Sequence, residues 1–107
     1  MKRIAESKIS DIDRADYILL CLKDECCGTD IMKKIAKITD GRICVGPGTL
    51  YNLLEQFVYE EIICETTVEG RKRSYILTDK GKEIIKNEYN HIQSQADDYM
   101  KFFGKEF

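Results

Sequence analysis

The chain has 107 residues, of which 43% are apolar and 34% charged, and its formal net charge is −2. This length accommodates one compact domain, and the composition is typical of a folded protein rather than a disordered one. No apolar run approaches the roughly 20 residues needed to cross a bilayer, and residues 1–8 alternate in charge where a signal peptide would be apolar. We therefore expect a cytoplasmic protein with no membrane partner.

The five cysteines do not have the spacing of a metal site or a redox motif. Cys26 and Cys27 are adjacent, no C-x-x-C pair occurs, and the only histidine, His91, is distant in sequence. Free thiols in a reducing compartment are the expected state, and a metal or thiol sensor at the vicinal pair is the alternative. We expect no metal, no cofactor and no enzymatic activity, because no paired acid and base accompany the thiols.

Two amphipathic helices are predicted in the N-terminal part. The apolar residues of the first recur at steps of three and four, and they are Ile12, Ala15, Ile18, Leu19 and Leu22. Asp11 and Asp13 suit its start. The second helix is predicted from about Gly28 to Thr39, and Gly41 is its expected stop. Its expected inward side chains are Ile31, Ile35 and Ile38, and its outward ones are Lys33, Lys34 and Lys37.

A third helix is predicted after residues 43–45, an apolar run with the composition of a minimal strand. It begins at Pro47, because the missing N–H of proline does no harm at the first helical position, and it ends near Glu60. Its expected buried stripe is Leu50, Leu53, Leu54 and Phe57, and its expected outer face is Thr49, Tyr51, Asn52, Gln56 and Tyr59. Between Gly46 and Tyr59 only Glu55 is charged, so the outer face can approach DNA with little electrostatic repulsion.

A β-hairpin and a long helix are predicted in the C-terminal part. Residues 62–67 and 73–77 have strand composition and are separated by a turn at residues 68–70, after which Thr78 caps the final helix. That helix carries a heptad seam formed by Ile85, Tyr89, Ile92, Ala96, Tyr99 and Phe103. The seam needs a partner, which could be the N-terminal helix, the same helix of a second copy, or both. We expect a homodimer.

This order of elements predicts a mainly α (α+β) fold, namely a winged helix-turn-helix with a long C-terminal dimerisation helix. Residues 1–78 are expected to form the DNA-binding domain with its N-terminal helix, and residues 79–107 the dimerisation helix. The third helix is then the recognition helix, and the hairpin is the wing.

Three blocks of the sequence resemble the PadR family of bacterial transcriptional regulators. The first block is Ile18-Leu19-Leu20 with Gly28-x-Asp30-Ile31. The second, which is the most specific, is Pro47-Gly48-Thr49-Leu50-Tyr51 with Leu54-Glu55. The third is residues 70–81, which contain a run of basic residues, a tyrosine and a Leu-Thr pair. The final helix resembles the compact subgroup, which dimerises through one C-terminal helix. The resemblance implies a homodimeric repressor.

The chain departs from the family pattern at several positions. Cys27 stands in place of a common histidine, Thr29 in place of an aromatic residue, and Gly46 in place of a capping serine. Gln56 replaces a typical Arg or Lys, which removes a phosphate contact. Glu61 replaces the glycine that ends the third helix, and a left-handed backbone there would cost about 1 kcal/mol.

On the third helix, the residues expected to contact DNA divide into two groups. Pro47 and Gly48 begin the helix, where free backbone N–H groups can bind a phosphate, and the hydroxyls of Thr49 and Tyr51 can also bind the DNA backbone. Asn52 and Gln56 are the candidates for base edges, because a side-chain amide can form two hydrogen bonds with adenine.

Further contacts are expected from the wing and from the second helix. Arg71, Lys72 and Arg73 form the only run of three positive charges and are expected at phosphates or in the minor groove, and Lys33 at the backbone. The acids are expected largely on the final helix, so a negative net charge is compatible with a cationic DNA-facing surface. A dimer presents two recognition helices, which predicts a palindromic operator with half-sites about one helical turn apart. The alternative is a winged-helix module that binds another protein and not DNA.

The family resemblance also implies a possible small-molecule effector, often aromatic, between the two subunits. Tyr89, Tyr99, Phe102 and Phe103 could line such a site, or they could form only the core of the dimer interface.

Overall fold

A computed structural model describes residues 11–107, with side chains from residue 13 onward, so the first ten residues of the expected domain and the side chain of Ile12 lie outside it. The helices are α1 (Asp11–Cys21), α2 (Gly28–Ile38), α3 (Pro47–Tyr59) and α4 (Asp79–Phe103), and the strands are β1 (Cys26–Cys27), β2 (Ile63–Glu69) and β3 (Lys72–Leu77). The predicted winged-helix order is confirmed, with one strand, β1, that the sequence analysis did not predict.

The core lies where α1, α2 and α3 meet the base of the sheet. Its most deeply buried apolar side chains are Ile18, Leu22, Ile31, Ile35, Leu50, Leu54 and Ile63. The stripe predicted for α3 is confirmed, with Leu53 only partly buried. The prediction for α2 is wrong at Ile38, which is 65% exposed. The helix ends at that residue, and the next one, Thr39, turns inward instead.

Thr39 fixes the connection between α2 and α3. Its buried hydroxyl donates to the carbonyl oxygen of Ile35 at 2.7 Å and accepts from the N–H of Ile43 at 3.1 Å. The next two residues, Asp40 and Gly41, have positive φ values of 50° and 78°, which reverse the chain. Residues 43–45 do not form the expected strand but an irregular segment. The backbone N–H of Ile43 is held by a side chain rather than by a strand.

The sheet has the order β1-β3-β2, and both pairings are antiparallel. β1 aligns Cys26 with Tyr75 and Cys27 with Ser74, so the connection between α1 and α2 becomes an edge of the wing. β2 extends two residues beyond the predicted end, and an irregularity between Glu65 and Thr67 shifts its register with β3. The turn therefore consists of Gly70 and Arg71 only, and not of residues 68–70.

α4 begins on the core and then extends away from it. The Thr78 hydroxyl accepts from the N–H of Gly81 at 3.1 Å and donates to the carbonyl oxygen of Glu61 at 2.7 Å, which confirms the predicted cap and joins it to the end of α3. Ile84 and Ile85 pack against the core, whereas residues 89–103 are exposed. None of the helices in the described part of the chain has the length and apolarity that crossing a membrane requires.

Candidate nucleic-acid interface

The outer side of α3 is an exposed polar surface. Thr49, Asn52, Gln56 and Tyr59 are all exposed, and their spacing of three, four and three residues places them along one side of the helix. Tyr59 is 88% exposed. Because Leu50, Leu54 and Phe57 hold the opposite side in the core, α3 cannot rotate to bury its polar side. This side therefore remains available to a groove of a nucleic acid.

The start of α3 presents backbone donors that have no acceptor within residues 11–107. Gly46 occupies the N-cap position and supplies no side-chain hydrogen bond, and Pro47 is the first helical residue. The first intrahelical bond is donated by Leu50 to the carbonyl oxygen of Gly46, at 3.0 Å. The N–H groups of Gly48 and Thr49 precede it and have no helical acceptor. These groups, together with the positive end of the helix dipole, favour an anion such as a phosphate.

Tyr51 connects α3 to the start of α2. A Cβ atom added to Gly28 would lie 2.8 Å from the Tyr51 hydroxyl oxygen, so the ring can lie here only because residue 28 has no side chain. Tyr51 is still 46% exposed. Its hydroxyl is therefore held in place by packing and is also accessible to a ligand.

A cavity of about 190 Å³ joins α2, α3 and the wing. It is lined by Cys27, Gly28, Thr29, Tyr51, Arg71, Lys72 and Arg73. The structure thus brings together four of the predicted DNA-contacting residues, which come from α3 and the wing. Three cations and two hydroxyls around one concavity are suited to bind an anionic group. Thr29 was noted in the sequence only as a departure from the family pattern, and its place beside these cations was not predicted.

The charge of the wing is partly offset by acidic neighbours. A carboxylate oxygen of Glu65 lies 3.7 Å from a guanidinium nitrogen of Arg73, and Glu69 is aligned with Lys72 across the hairpin. The expectation that acids lie largely elsewhere is therefore too simple for this hairpin. Burial, and after it the nearby Glu65, raise the pKa of Tyr75 at the base of the wing, although Arg73 acts in the opposite direction. The Tyr75 hydroxyl therefore stays protonated and uncharged.

The lysines of α2 lie apart from α3. Lys33 is exposed, but its neighbour Lys34 is the one that lines a groove with Lys72, between α2 and the hairpin. Acidic residues share this groove with them: Glu25, Asp30 and Glu69. The structure therefore does not bring Lys33 into the cluster formed by Tyr51 and the wing.

The end of α3 is fixed by contacts that the sequence analysis missed. The Lys80 ammonium group donates to the carbonyl oxygen of Glu60 at 2.8 Å, and a cation at a helix C-terminus is favourable. Glu61 has a φ of 62°, as expected for a position that usually carries glycine. Nothing in the spacing of Lys80 indicated its partner, because the two residues belong to different helices.

The cysteines are free, and three of them are buried. Burial, followed by the nearby Cys26, raises the pKa of the Cys21 thiol, and burial also raises that of Cys26. Higher pKa values reduce the thiolate fraction and hence the reactivity at neutral pH. Among the residues from 11 onward, no group of three or more His, Cys, Asp or Glu side chains is arranged to hold a metal ion.

The heptad seam of α4 is only partly covered by the same chain. α1 and α4 form an apolar groove of about 190 Å³. It is lined by Asp16, Leu19, Leu20, Ile84, Ile85, Glu88, Tyr89 and Ile92. Of the seam residues, Ile85 is half-buried, whereas Tyr89, Ile92, Tyr99 and Phe103 are all more than half exposed, and Ala96 is exposed as well.

Three helices, the third with an exposed polar side, followed by a hairpin with a cationic turn, define a winged helix-turn-helix protein. A sequence model of the PadR-like family of transcriptional regulators matches residues 18–87. This match covers more than half of the chain, and the chain therefore belongs to the PadR-like family. The family is one of transcriptional regulators and not of enzymes, as the sequence analysis expected.

Solved structures with the same fold include several regulators. A transcriptional regulator from Clostridium thermocellum is 25% identical with a TM-score of 0.72, and the match covers 87% of this chain and 98% of that one. A PadR-like transcription factor from Bacteroides fragilis is 23% identical with a TM-score of 0.69, covering 94% and 99%. Bacillus subtilis PadR in complex with operator DNA is 26% identical with a TM-score of 0.63, covering 71% and 46%. No curated protein matches the chain.

Proposed function

We propose that the protein is a homodimeric repressor that binds a palindromic DNA operator, with α3 in the major groove and the wing against the adjacent backbone. The observation that carries this proposal is the exposed polar side of α3 beside the cavity where Tyr51 meets three wing cations. It is supported by membership of a transcriptional-regulator family and by the likeness to a PadR protein solved with its operator.

The contacts follow from the chemistry of each group. Pro47, Gly48, Thr49 and Tyr51 lie where the free N–H groups and hydroxyls of the first turns meet a phosphate. Asn52 and Gln56 reach base edges, since their amides match the donor and acceptor of adenine. Arg71, Lys72 and Arg73 bind phosphates or the minor groove. Lys33 adds a weaker contact to the DNA backbone.

Dimerisation uses the exposed seam of α4. Tyr89, Ile92, Tyr99 and Phe103 are 51–63% exposed in the single chain, and a continuous apolar stripe of this kind is unfavourable in water. The same helix of a second copy would cover it, with α1 contributing at the groove. In this proposal residues 79–107 pair the two copies, while the domain within residues 1–78 binds DNA.

Two further elements belong to this proposal. A regulator of this kind acts in the compartment that holds the DNA, which is the cytoplasm in bacteria. A small-molecule effector would act at the aromatic part of the seam, where Tyr99, Phe102 and Phe103 line a shallow cavity of about 260 Å³ with Gln95 and Asp98. An aromatic ligand there would compete with, or reposition, the packing of the two α4 helices.

The test is a binding measurement with a fluorescent duplex from the region upstream of the protein's own gene, at two salt concentrations, beside a scrambled duplex of equal length. The proposal predicts tighter binding to the upstream duplex and a logarithm of the binding constant that falls linearly with the logarithm of the salt concentration. Equal and salt-independent binding of both duplexes, or no binding, would contradict it. No binding would favour the protein-interaction alternative, which the acids beside the wing cations also support.

A further inference from the structure

The region that contains α3 has an unusual charge distribution. From residue 43 to residue 70 the chain carries five acidic residues and no Lys or Arg. α3 therefore contributes no side-chain cation to an interface with a polyanion. The long-range attraction to DNA has to come from other elements, chiefly the wing.

One of these acids lies on the exposed side of α3, so this side carries a charge, contrary to the expectation that it would approach DNA with little electrostatic repulsion. Glu55 follows Asn52 by three residues and precedes Tyr59 by four, so the three side chains share one side of the helix. Together with Gln56 and Glu60 they line one shallow groove on the surface of α3. Glu55 is exposed, and its carboxylate forms no ion pair or hydrogen bond with any residue from 13 onward.

Glu60 lines the same groove but differs in its surroundings. It follows the last helical residue, and the Lys80 ammonium group lies 2.8 Å from its carbonyl oxygen. A cation thus partly balances the charge at the end of α3, whereas nothing in the described part of the chain balances Glu55. The Glu55 carboxylate is therefore the one available to a hydrogen-bond donor on a binding partner.

We propose that Glu55 is a specificity-determining residue, whose carboxylate accepts a hydrogen bond from the N4 amino group of a cytosine in the major groove. This inference rests on the proposed DNA-binding function. Cytosine presents an amino donor at its major-groove edge, and glutamate is a matching acceptor. Guanine presents only acceptors at this edge, and thymine presents an acceptor and a methyl group. Adenine also has an amino donor, but its N7 acceptor lies beside that donor and repels a second carboxylate oxygen.

In this proposal Glu55 gives selectivity largely by weakening the binding of sequences that lack the matching base. An unpaired carboxylate in the groove lowers the affinity for every sequence that lacks the amino donor at that position. The wing supplies attraction to any duplex, since Arg71, Lys72 and Arg73 address the sequence-independent backbone. Asn52 and Gln56 select adenine on the same helical side, so the expected half-site combines A·T pairs with one selected C·G pair.

The experiment is selection by the full-length protein from a pool of duplexes, each with a randomised segment about three helical turns long, followed by sequencing of the retained DNA. It uses the wild type, Glu55→Gln, Glu55→Ala and, as a control, Glu83→Gln, which removes an exposed charge on α4. Affinities for a selected duplex and for single-base-pair changes are then measured. Circular dichroism during thermal unfolding verifies that all four proteins fold.

The wild type is expected to select a C·G pair at one position of each half-site, with about fivefold or greater loss when that pair is replaced. Glu55→Ala loses this preference, and Glu55→Gln changes it to A·T, because glutamine matches adenine. Both variants bind random duplex more tightly than Glu83→Gln does. If the wild type selects a sequence but Glu55→Ala retains every base preference, the inference is wrong while the proposed function stands. If the wild type retains no duplex, the proposed function itself fails.

Discussion

Gly81 shows why a residue required by the fold is hard to explain from sequence alone. It belongs to the third block of family resemblance, yet nothing in the chain near it indicates a reason. In the structure, a Cβ atom at this position would collide with the carbonyl oxygen of Ile62, which precedes β2. The contact joins residues that are distant in sequence, so only the folded arrangement reveals it.

A matched pair of substitutions tests this contact. Gly81→Ala should lower the free energy of unfolding by roughly 2 kcal/mol or more, because backbone and not a flexible side chain must move. Gly48 lies on the exposed first turn of α3, and no atom lies near a Cβ added there. Gly48→Ala should therefore lower the free energy of unfolding by less than Gly81→Ala does, or raise it by about 0.5–1 kcal/mol. Urea unfolding followed by circular dichroism compares the two. Equal effects would show that the clash at Gly81 does not exist.

Asp16 links a single residue to the groove between α1 and α4. Burial raises its pKa above the usual value, and nearby Glu88 and Asp13 raise it further. The native state therefore holds this proton more tightly than the unfolded chain does. Ionisation costs stability, and the cost grows as the pH rises through the window from the ordinary pKa to the raised native pKa.

The Asp16→Asn variant should accordingly unfold at a higher temperature than the wild type at pH 7. The difference should shrink toward zero at about pH 3, below the ordinary pKa, because Asp16 is then protonated in both states. Thermal unfolding across this pH range measures it. Glu83→Gln, with the same change of charge at an exposed site on α4, is the control and should show a smaller difference at pH 7. A pH-independent difference for Asp16→Asn would contradict this explanation.

At the scale of elements, the sequence predicted the helices better than the segments between them. The stripes of α1 and α3 follow from a 3.6-residue period that burial confirms, as at Ile18, Leu50 and Leu54. β1 has only two residues and therefore has no period to detect. The apolar composition of residues 43–45 predicts a strand, since composition does not reveal that the Thr39 side chain binds the backbone there.

The residues of the candidate site were also predictable from the sequence, but their arrangement was not. The exposed residues of α3 and the cations of the wing are visible in the sequence, because their positions follow from helical spacing and from a hairpin turn. The sequence did not predict that these residues lie beside the start of α2, because this depends on the packing of Tyr51 over Gly28. The sequence also did not predict the ion pair between Glu65 and Arg73, because it depends on the register of β2 and β3.

The wing can be tested as an element. Replacement of Arg71, Lys72 and Arg73 by glutamine should weaken binding to all duplexes and flatten the salt dependence, by about 0.9 in logarithmic slope for each phosphate that the wing no longer neutralises. Replacement of Lys86, Lys101 and Lys105 by glutamine removes the same charge from the C-terminal part of the chain and should leave the slope nearly unchanged. Binding curves at several salt concentrations make the comparison. Equal salt-dependence slopes for the two variants would show that the wing does not contact DNA.

At the scale of the whole molecule, the exposed seam of α4 is the basis of the proposed dimer. α4 has 25 residues, so it is about 37 Å long, and it contacts the core only through its first turns. The outer part carries large apolar side chains such as Tyr99 and Phe103, which are exposed in the single chain, and an exposed apolar stripe is unfavourable in water. A second copy supplies an identical seam, and this is the simplest way to cover both.

Sedimentation velocity tests the dimer. The wild type should sediment with twice the chain mass of 12.4 kDa. Ile92→Asp should sediment as a single chain, because a carboxylate in the seam would be buried without a partner. Ser94→Asp places the same charge on the opposite, exposed side of α4 and should remain dimeric. A monomeric wild type, or equal effects of the two substitutions, would exclude this interface.

The central claim is that the polar side of α3 and the wing together form the DNA-binding surface. Nuclear magnetic resonance tests it most directly, through titration of the isotope-labelled protein with a duplex from the region upstream of its gene. We expect the largest backbone amide shifts at Thr49, Asn52 and Gln56 and at residues 70–73, with small shifts along the outer part of α4. Shifts confined to α4, or their absence from α3 when the duplex is bound, would contradict the claim.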